Sequence, residues 1–354
     1  MAQKTAAVNT YTNPSFGMPP QGPVWETLPE TSGQVVRLLK NSPLLYGSYQ
    51  SLNAEWKQRF LDFCQGKKSL PLTYDPFFKR IFHPDVHPDR LSRLVSSILG
   101  ITVKVLHILP GEDSMMDGAS LLIMDLVGQL EDGSLVNIEI QKQGYAFPAE
   151  RISCYSADLV MRQYARLKGE RGRAFTYQDI RKVYVIVLFE KSPGIFHESH
   201  YAYLHYGKIR FDSGLKMELL QEYFLIALDV FRKFPYSEDK NELTAWLSLL
   251  VTEELEDAER LIRDYPWLQE IYEEIAMLRR RPEEVLGMFS EALRILDQNT
   301  VKYMIEELQK QLDEKDVEKA AVIREKDAEK AAVIREKDAE IAELKRQLEA
   351  LRPG

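Results

Sequence analysis

The chain has 354 residues, with 46 Lys+Arg against 54 Asp+Glu for a formal net charge of −8, and is 45% hydrophobic and 28% charged. That length exceeds one small core and implies two domains or one domain with appendages, while the acidic total argues mildly against a nucleic-acid binder. Cys64 and Cys154 cannot build a disulfide framework, no apolar run is long enough to span a bilayer, and no apolar segment follows Lys4, so a cytoplasmic, membrane-free protein is expected.

Residues 1–32 are rich in Thr, Asn, Gly and Pro and lack apolar periodicity, which predicts a disordered arm. Residues 33–71 carry short helical patterns around Trp56, Phe60, Leu61 and Phe63 and are read as a helical lead-in. The first strongly periodic element is Pro88–Leu99, where Leu91, Leu94, Val95 and Ile98 share one face. Pro88 suits a first helical turn and Gly100 a C-terminal cap. Ile101–Leu109 alternates and predicts a strand, followed by apolar runs at Leu121–Leu130 and Leu135–Gln141 joined by Glu131-Asp132-Gly133.

Pro148–Lys168 reads as a helix with Ile152, Leu159, Val160 and Leu167 on its apolar side, where Cys154 is expected near the helix–sheet packing. Lys182–Phe189 is apolar throughout, as expected of a strand buried on both faces. The order α-β-β-β-α-β predicts a mixed α/β core within residues 72–235. A helical region is expected over 236–300, with Trp246, Leu247, Leu249 and Leu250 in its interior.

The last segment, 301–352, contains an internal repeat: EKDVEKAAVIR from Glu314, EKDAEKAAVIR from Glu325 and EKDAEIAELKR from Glu336. Its eleven-residue period is about 3.67 residues per helical turn, which favours a straight or slightly right-handed supercoil. So charged a helix gains little by folding alone, so a homo-oligomeric coiled coil is expected.

Asp125 interrupts LLIMDLV and Glu139 interrupts VNIEIQ, and a carboxylate buried among apolar neighbours is costly unless it is paired or holds a metal. Asn137, Glu139 and Gln141 share one strand face. A two-residue hairpin turn would set Asp125 against Ile140. A three-residue loop, with Gly133 left-handed, sets it opposite Glu139 and leaves Met124, Leu126, Ile138 and Ile140 on the other side. The second register is therefore predicted. Two carboxylates across a strand pair make an oxygen-rich site suited to Mg²⁺, and such an ion polarises phosphodiesters and activates water.

Tyr74–Phe82 (YDPFFKRIF), the MDLVGQLEDGSLVNIEIQ hairpin, the FPAERISCYSADL helix, KVYVIVLF and the later LTAWLSLL together resemble the PD-(D/E)XK nuclease family of transposases, also described as recombination-promoting nucleases. The resemblance covers roughly residues 72–300. It implies a restriction-endonuclease-like α/β fold and an Mg²⁺- or Mn²⁺-dependent DNA endonuclease, linked to recombination or transposition. Asp125 and Glu139 would then hold the metal with help from the Ile140 carbonyl, and Gln141 would stand where the motif usually has Lys. Gln is neither cation nor base, so it would orient water through its amide. Lys142 is adjacent but expected on the opposite face.

The resemblance further implicates Asp75, Lys79, Arg151 and Tyr155. Arg151, Tyr155, Asp158, Arg162 and Arg166 also recur at helical spacing, which predicts a polar, mostly basic face opposite the apolar one, able to contact DNA phosphates. The rival expectation is a nuclease scaffold without catalysis that oligomerises and binds DNA or protein. His197, His200 and His205 lack cysteine or HExxH companions and are read as strand or loop positions rather than zinc ligands.

Overall fold

The computed structural model describes residues 26–109, 126–142, 149–198, 202–233 and 240–350. The chain divides into two units, Met1–Leu293 and Arg294–Gly354. Most of the expected N-terminal arm lies outside the described residues.

The first unit opens with three short helices, α1 (Ser32–Lys40), α2 (Pro43–Ser51) and α3 (Ala54–Cys64). Each starts at a residue whose side chain accepts a backbone N–H: Thr31, Ser42 and Asn53. Helices α4 (Asp75–Phe82) and α5 (Pro88–Leu99) follow. Leu91, Leu94, Val95 and Ile98 of α5 are all buried, and Gly100 closes the helix at φ +68°, a conformation that costs glycine nothing.

The sheet begins with β1 (Val105–Ile108), β2 (Leu126–Leu130) and β3 (Leu135–Gln141). Helix α6 (Ala149–Arg171) then crosses to β4 (Val183–Phe189), and β5 (Leu204–Lys208) and β6 (Gln221–Ala227) complete it. The six strands run in the order β1-β2-β3-β4-β6-β5. β3, β4 and β6 are mutually parallel, and β1, β2 and β5 pair antiparallel with their neighbours. Every residue of β4 is buried, which is why its sequence is apolar without alternation.

β1 is shorter than the alternation predicts. Its expected first half is held by α5: Val103 N–H donates to Ser96 Oγ, which returns a bond to Val103 O, and Val105 N–H donates to Ser92 Oγ. β5 and β6 were not assigned from the sequence. β5 is a brief edge strand, and the apolar run of β6 merges without punctuation into the following turn of helix, α7 (Leu228–Phe231).

The β2–β3 hairpin adopts the three-residue register. Leu126 pairs with Ile138 and Val127 with Asn137; Leu130 N–H donates to Ser134 O; and Gly133 sits at φ +87°. Asp132 accepts from both the N–H and the hydroxyl of Ser134, fixing the turn. Asp125 lies outside the described residues.

Four helices follow: α8 (Glu242–Val251), α9 (Leu255–Asp264), α10 (Gln269–Leu278) and α11 (Pro282–Ala350), the last continuing into the second unit. Trp246, Leu247, Leu249 and Leu250 are buried as expected. Phe289 of α11 takes Trp56, Phe60 and Phe77 edge-on, joining α3 and α4 to α11. Glu274 of α10 gathers Arg80 at 2.7 Å, Arg90 at 2.5 Å and His87 Nε2 at 2.9 Å, and Arg80 also meets Glu284 at 2.6 Å. Burial alone would raise the Glu274 pKa; the Arg90 and His87 hydrogen bonds outweigh it and hold the carboxyl below its usual range. This ionic knot fixes α4, whose first turn carries Asp75 and whose last turn carries Lys79.

In the second unit α11 is one uninterrupted helix through the repeats. Within the repeats its apolar side chains, among them Val317, Ile323, Val333, Ile334, Ile341 and Leu344, are exposed. No helix among the described residues is long and apolar enough to cross a membrane.

Candidate active site at the carboxyl ends of β3 and β4

The carboxyl ends of parallel strands are where α/β sheets place their ligands, because the chain there leaves the sheet and opens a crevice. β3 and β4 end together here: Gln141 pairs with Phe189, and Glu190 N–H donates to Gln141 O.

Odd-numbered residues of β3 face α6. Leu135 packs with Ile152, Tyr155 and Leu159 of the helix and with Val183, Val185, Val187 and Phe189 of β4. Into this apolar layer β3 inserts Asn137, Glu139 and Gln141. Glu139 is only 1% exposed. Its Oε1 accepts from Gln141 Nε2 at 2.8 Å and from the Tyr155 hydroxyl at 3.5 Å. That hydroxyl in turn accepts from Arg151 Nε at 2.6 Å. Asn137 is fully buried on the same face, and neither of its amide atoms meets a hydrogen-bond partner among the described residues. An orphaned amide beside a buried carboxylate is a costly arrangement in an otherwise apolar layer.

Tyr155 corrects the sequence reading. It is 0% exposed and packs between Ile152 and Leu159, so it belongs to the apolar face of α6 and not to a polar face opposite. Counting tyrosine as polar hid this: the ring packs while the hydroxyl serves Glu139. Cys154 is corrected too, since it is exposed, one residue round the helix from Tyr155. Arg162 is 13% exposed and held by Asp158 at 2.6 Å, and Arg166 reaches Gln129 Oε1 on β2 at 3.3 Å. The stripe is therefore basic but already engaged with the fold.

Immediately beyond Gln141 lies a second group. Lys142 follows directly after the end of β3. Its Nζ binds Glu190 Oε2, donates to Thr73 Oγ1 at 2.7 Å and stands 3.1 Å above the Tyr74 ring centroid. Thr73 Oγ1 also donates to Glu190 Oε2 at 2.7 Å. Burial lowers the Lys142 pKa to about 8 although Glu190 pulls it upward. For Glu190 burial raises the pKa, but Lys142 and Thr73 outweigh it and the carboxyl is held below its usual range. Through Thr73 and Tyr74 this cluster adjoins α4, where Lys79 pairs with Asp75 at 2.9 Å. Burial raises the Asp75 pKa against the pull of Lys79.

The structure thus brings Glu139, Gln141, Tyr155 and Arg151 together and sets Lys142, Glu190 and Thr73 alongside. Sequence reasoning missed Glu190 and Thr73. The available signal for Glu190 was a carboxylate directly following a fully buried parallel strand. No group of three or more His, Cys, Asp or Glu able to hold a metal gathers among the described residues, and Asp125, the expected partner of Glu139, is not one of them. The donor chemistry present is all oxygen: a buried carboxylate beside an orphaned amide oxygen, which fits a hard divalent cation.

Comparison with curated proteins and with solved structures gave no match. The family comparison did: the description "PD-(D/E)XK nuclease family transposase" covers residues 72–307, from the turn preceding α4 into α11. A Glu-x-Gln pair at the end of a central strand, in a mixed sheet crossed by α6, lies within that span, and the chain belongs to the PD-(D/E)XK nuclease family transposases.

Proposed function

We propose that the protein is a divalent-metal-dependent DNA endonuclease acting in recombination or transposition. The observation that carries this reading is Glu139, an almost wholly buried carboxylate that accepts from Gln141 and Tyr155 at the carboxyl end of β3. Desolvating a carboxylate is expensive, and a scaffold without catalysis has no use for it.

Asp125, Glu139 and the Ile140 carbonyl would hold Mg²⁺ or Mn²⁺. When bound, such an ion supplies Lewis-acid polarisation of the phosphodiester and acidifies a coordinated water. Gln141 commits its Nε2 to Glu139, which leaves its Oε1 to accept a proton of the attacking water and so orient it. Tyr155 fixes the Glu139 carboxylate and acts as a positioning residue; Arg151 orders Tyr155 and presents its guanidinium to phosphate. Lys79, in the last turn of α4 and ordered by Asp75, supplies further positive charge, and Arg162 and Arg166 extend the basic stripe along α6. Two copies would associate through the repeats of α11, placing two sites on one duplex.

The commitment of Gln141 to Glu139, where a motif Lys would bring positive charge, favours the rival reading of a non-catalytic, DNA- or protein-binding adaptor. Nicking of supercoiled plasmid decides between them. The endonuclease reading expects nicking with Mg²⁺ or Mn²⁺, none with chelator, and none by Asp125→Ala or Glu139→Ala. Metal-independent nicking, or equal nicking by all three proteins, overturns it. DNA binding without cleavage supports the adaptor.

A further inference from the structure

The carboxyl-terminal end of α6 carries a group of residues that the cleavage site does not use. Because α6 returns antiparallel to the parallel strands β3 and β4, this end lies toward the start of the strands, away from Glu139 at the carboxyl end of β3. Tyr155 and Tyr164 are separated along the helix by ~14 Å, about four nucleotides at stacked spacing.

Gly172, at φ +54°, ends α6 and turns the chain back across its own last turns. The returning segment brings Phe175 edge-on to Tyr164, centroids 5.4 Å apart, and edge-on to Tyr177 at 5.6 Å. Tyr177 lies nearly parallel to Tyr164, at 12° and 6.1 Å. Three aromatic rings thus form one outward-facing group, and Tyr177 is 76% exposed.

The turn is held rigidly. Asp179 accepts from Thr176 N–H at 2.7 Å, from Thr176 Oγ1 at 3.2 Å and from Arg171 Nη1 at 2.5 Å, which ties it to the end of the helix. The ring is therefore presented without the ordering entropy of a mobile loop.

The surrounding charge is positive. Residues 164–181 contain five Lys+Arg (Arg166, Lys168, Arg171, Arg173 and Arg181) against Glu170 and Asp179. Lys168 hydrogen-bonds the Tyr164 hydroxyl at 2.6 Å, and Arg171 is taken by Asp179. Arg173 is exposed. Basic residues in a last helical turn are explained by the helix dipole. A preorganised aromatic ring that meets Tyr164 and Phe175 yet keeps 76% of its surface in water is not, since that exposed surface gains nothing for the fold.

We propose that this face is a stacking platform for an unpaired nucleotide of a DNA strand. Tyr177 takes the base on its open face, and Arg173 and Lys168 neutralise the adjoining phosphates. Aromatic faces interleaved with cations recognise single strands with little sequence preference, because every base has a π-face. The assignment rests on DNA being the substrate and adds that the substrate carries a single-stranded or unpaired segment.

The test is binding of a short fluorescent oligo(dT), in chelator, by full-length protein. Tyr177→Ala should weaken binding ~10-fold, within the range of one lost base stack. Tyr177→Phe should stay within about twofold, as the ring is retained. Arg173→Ala should weaken binding and flatten its salt dependence. An oligonucleotide with abasic positions should bind wild type and Tyr177→Ala alike, and duplex binding should not change with Tyr177→Ala. Equal oligo(dT) binding by wild type and Tyr177→Ala overturns the proposal. So does an equal loss on duplex and single strand, or preference for oligo(U) over oligo(dT). Cleavage is not read, so a chain that binds oligo(dT) through Tyr177 but nicks no plasmid keeps this site and loses the nuclease reading. A nuclease whose oligo(dT) binding ignores Tyr177 does the reverse.

Discussion

The Tyr155 hydroxyl lies 3.5 Å from Glu139 Oε1, joining a helix residue with no exposed surface to a strand carboxylate that is almost as deeply buried. Neither group has solvent to fall back on, so each fixes the other's orientation, and Arg151 at 2.6 Å fixes the hydroxyl in turn.

Tyr155→Phe keeps the ring and removes only this link. We expect it to cost about 1–2 kcal/mol of stability, because a guanidinium and a carboxylate each lose a partner. Plasmid nicking should fall ~10-fold, a loss of about 1.4 kcal/mol in transition-state stabilisation, with a higher Mn²⁺ concentration needed for half-maximal rate. Denaturant titration and a Mn²⁺ dependence of nicking check this. An unchanged Mn²⁺ requirement would reduce Tyr155 to a packing residue.

Lys142 sets a pH dependence whose sign follows from its depressed pKa. Folded Lys142 loses its proton near pH 8, whereas the unfolded side chain holds it to about 10.4. Between those values the unfolded state binds more protons, so stability rises with pH across this window. With Lys142 at 19% side-chain exposure the gain is at most about 3 kcal/mol. Urea unfolding at pH 8 and pH 10, compared with the Lys142→Met/Glu190→Gln double variant, should show wild type gaining on the variant as pH rises. A constant difference would contradict it. Glu190, held below its usual range, contributes at the other end: its share is present above about pH 4.5 and is lost as pH falls through its folded value.

Gly133 tests the hairpin that sets the register of the site. Its φ of +87° is open to glycine and strained for alanine. Gly133→Ala should destabilise the protein by about 1 kcal/mol, read as a lower urea midpoint at unchanged slope. No loss would mean that the turn is not what fixes β2 against β3.

Several elements were legible in the sequence because local pattern and tertiary role agree. Leu135–Gln141 and the apolar part of Lys182–Phe189 emerged with their predicted limits, and α5 with its glycine cap. The hairpin register followed from turn arithmetic together with apolar patterning, since a slip of one residue would reverse every side chain. The helix after Gln141 was legible as a helix but not in its faces, because Tyr155 is apolar to its neighbours and polar to Glu139. Lys142 is expected on the face opposite Glu139, but its partners Glu190, Thr73 and Tyr74 come from other parts of the chain and were not legible. The bond from Thr73 to Glu190 spans distant parts of the chain and left no local trace.

The repeats of α11 expose Val317, Ile323, Val333, Ile334, Ile341 and Leu344 amid charges of both signs. Covering such residues with a second copy is the simplest source of stability for this helix. Sedimentation equilibrium of the full chain should give a mass above the monomer at micromolar concentration. A monomeric mass would remove the paired-site arrangement while leaving the chemistry at Glu139 untouched.

The most direct measurement is the single-turnover rate of plasmid nicking by Glu139→Gln beside wild type in saturating Mn²⁺. The substitution keeps the volume of the side chain and removes its charge, so the fold should hold. The account predicts a fall of at least ~1,000-fold with no loss of thermal stability, equivalent to about 4 kcal/mol of lost transition-state stabilisation. A Glu139→Gln protein that nicks as fast as wild type would contradict it.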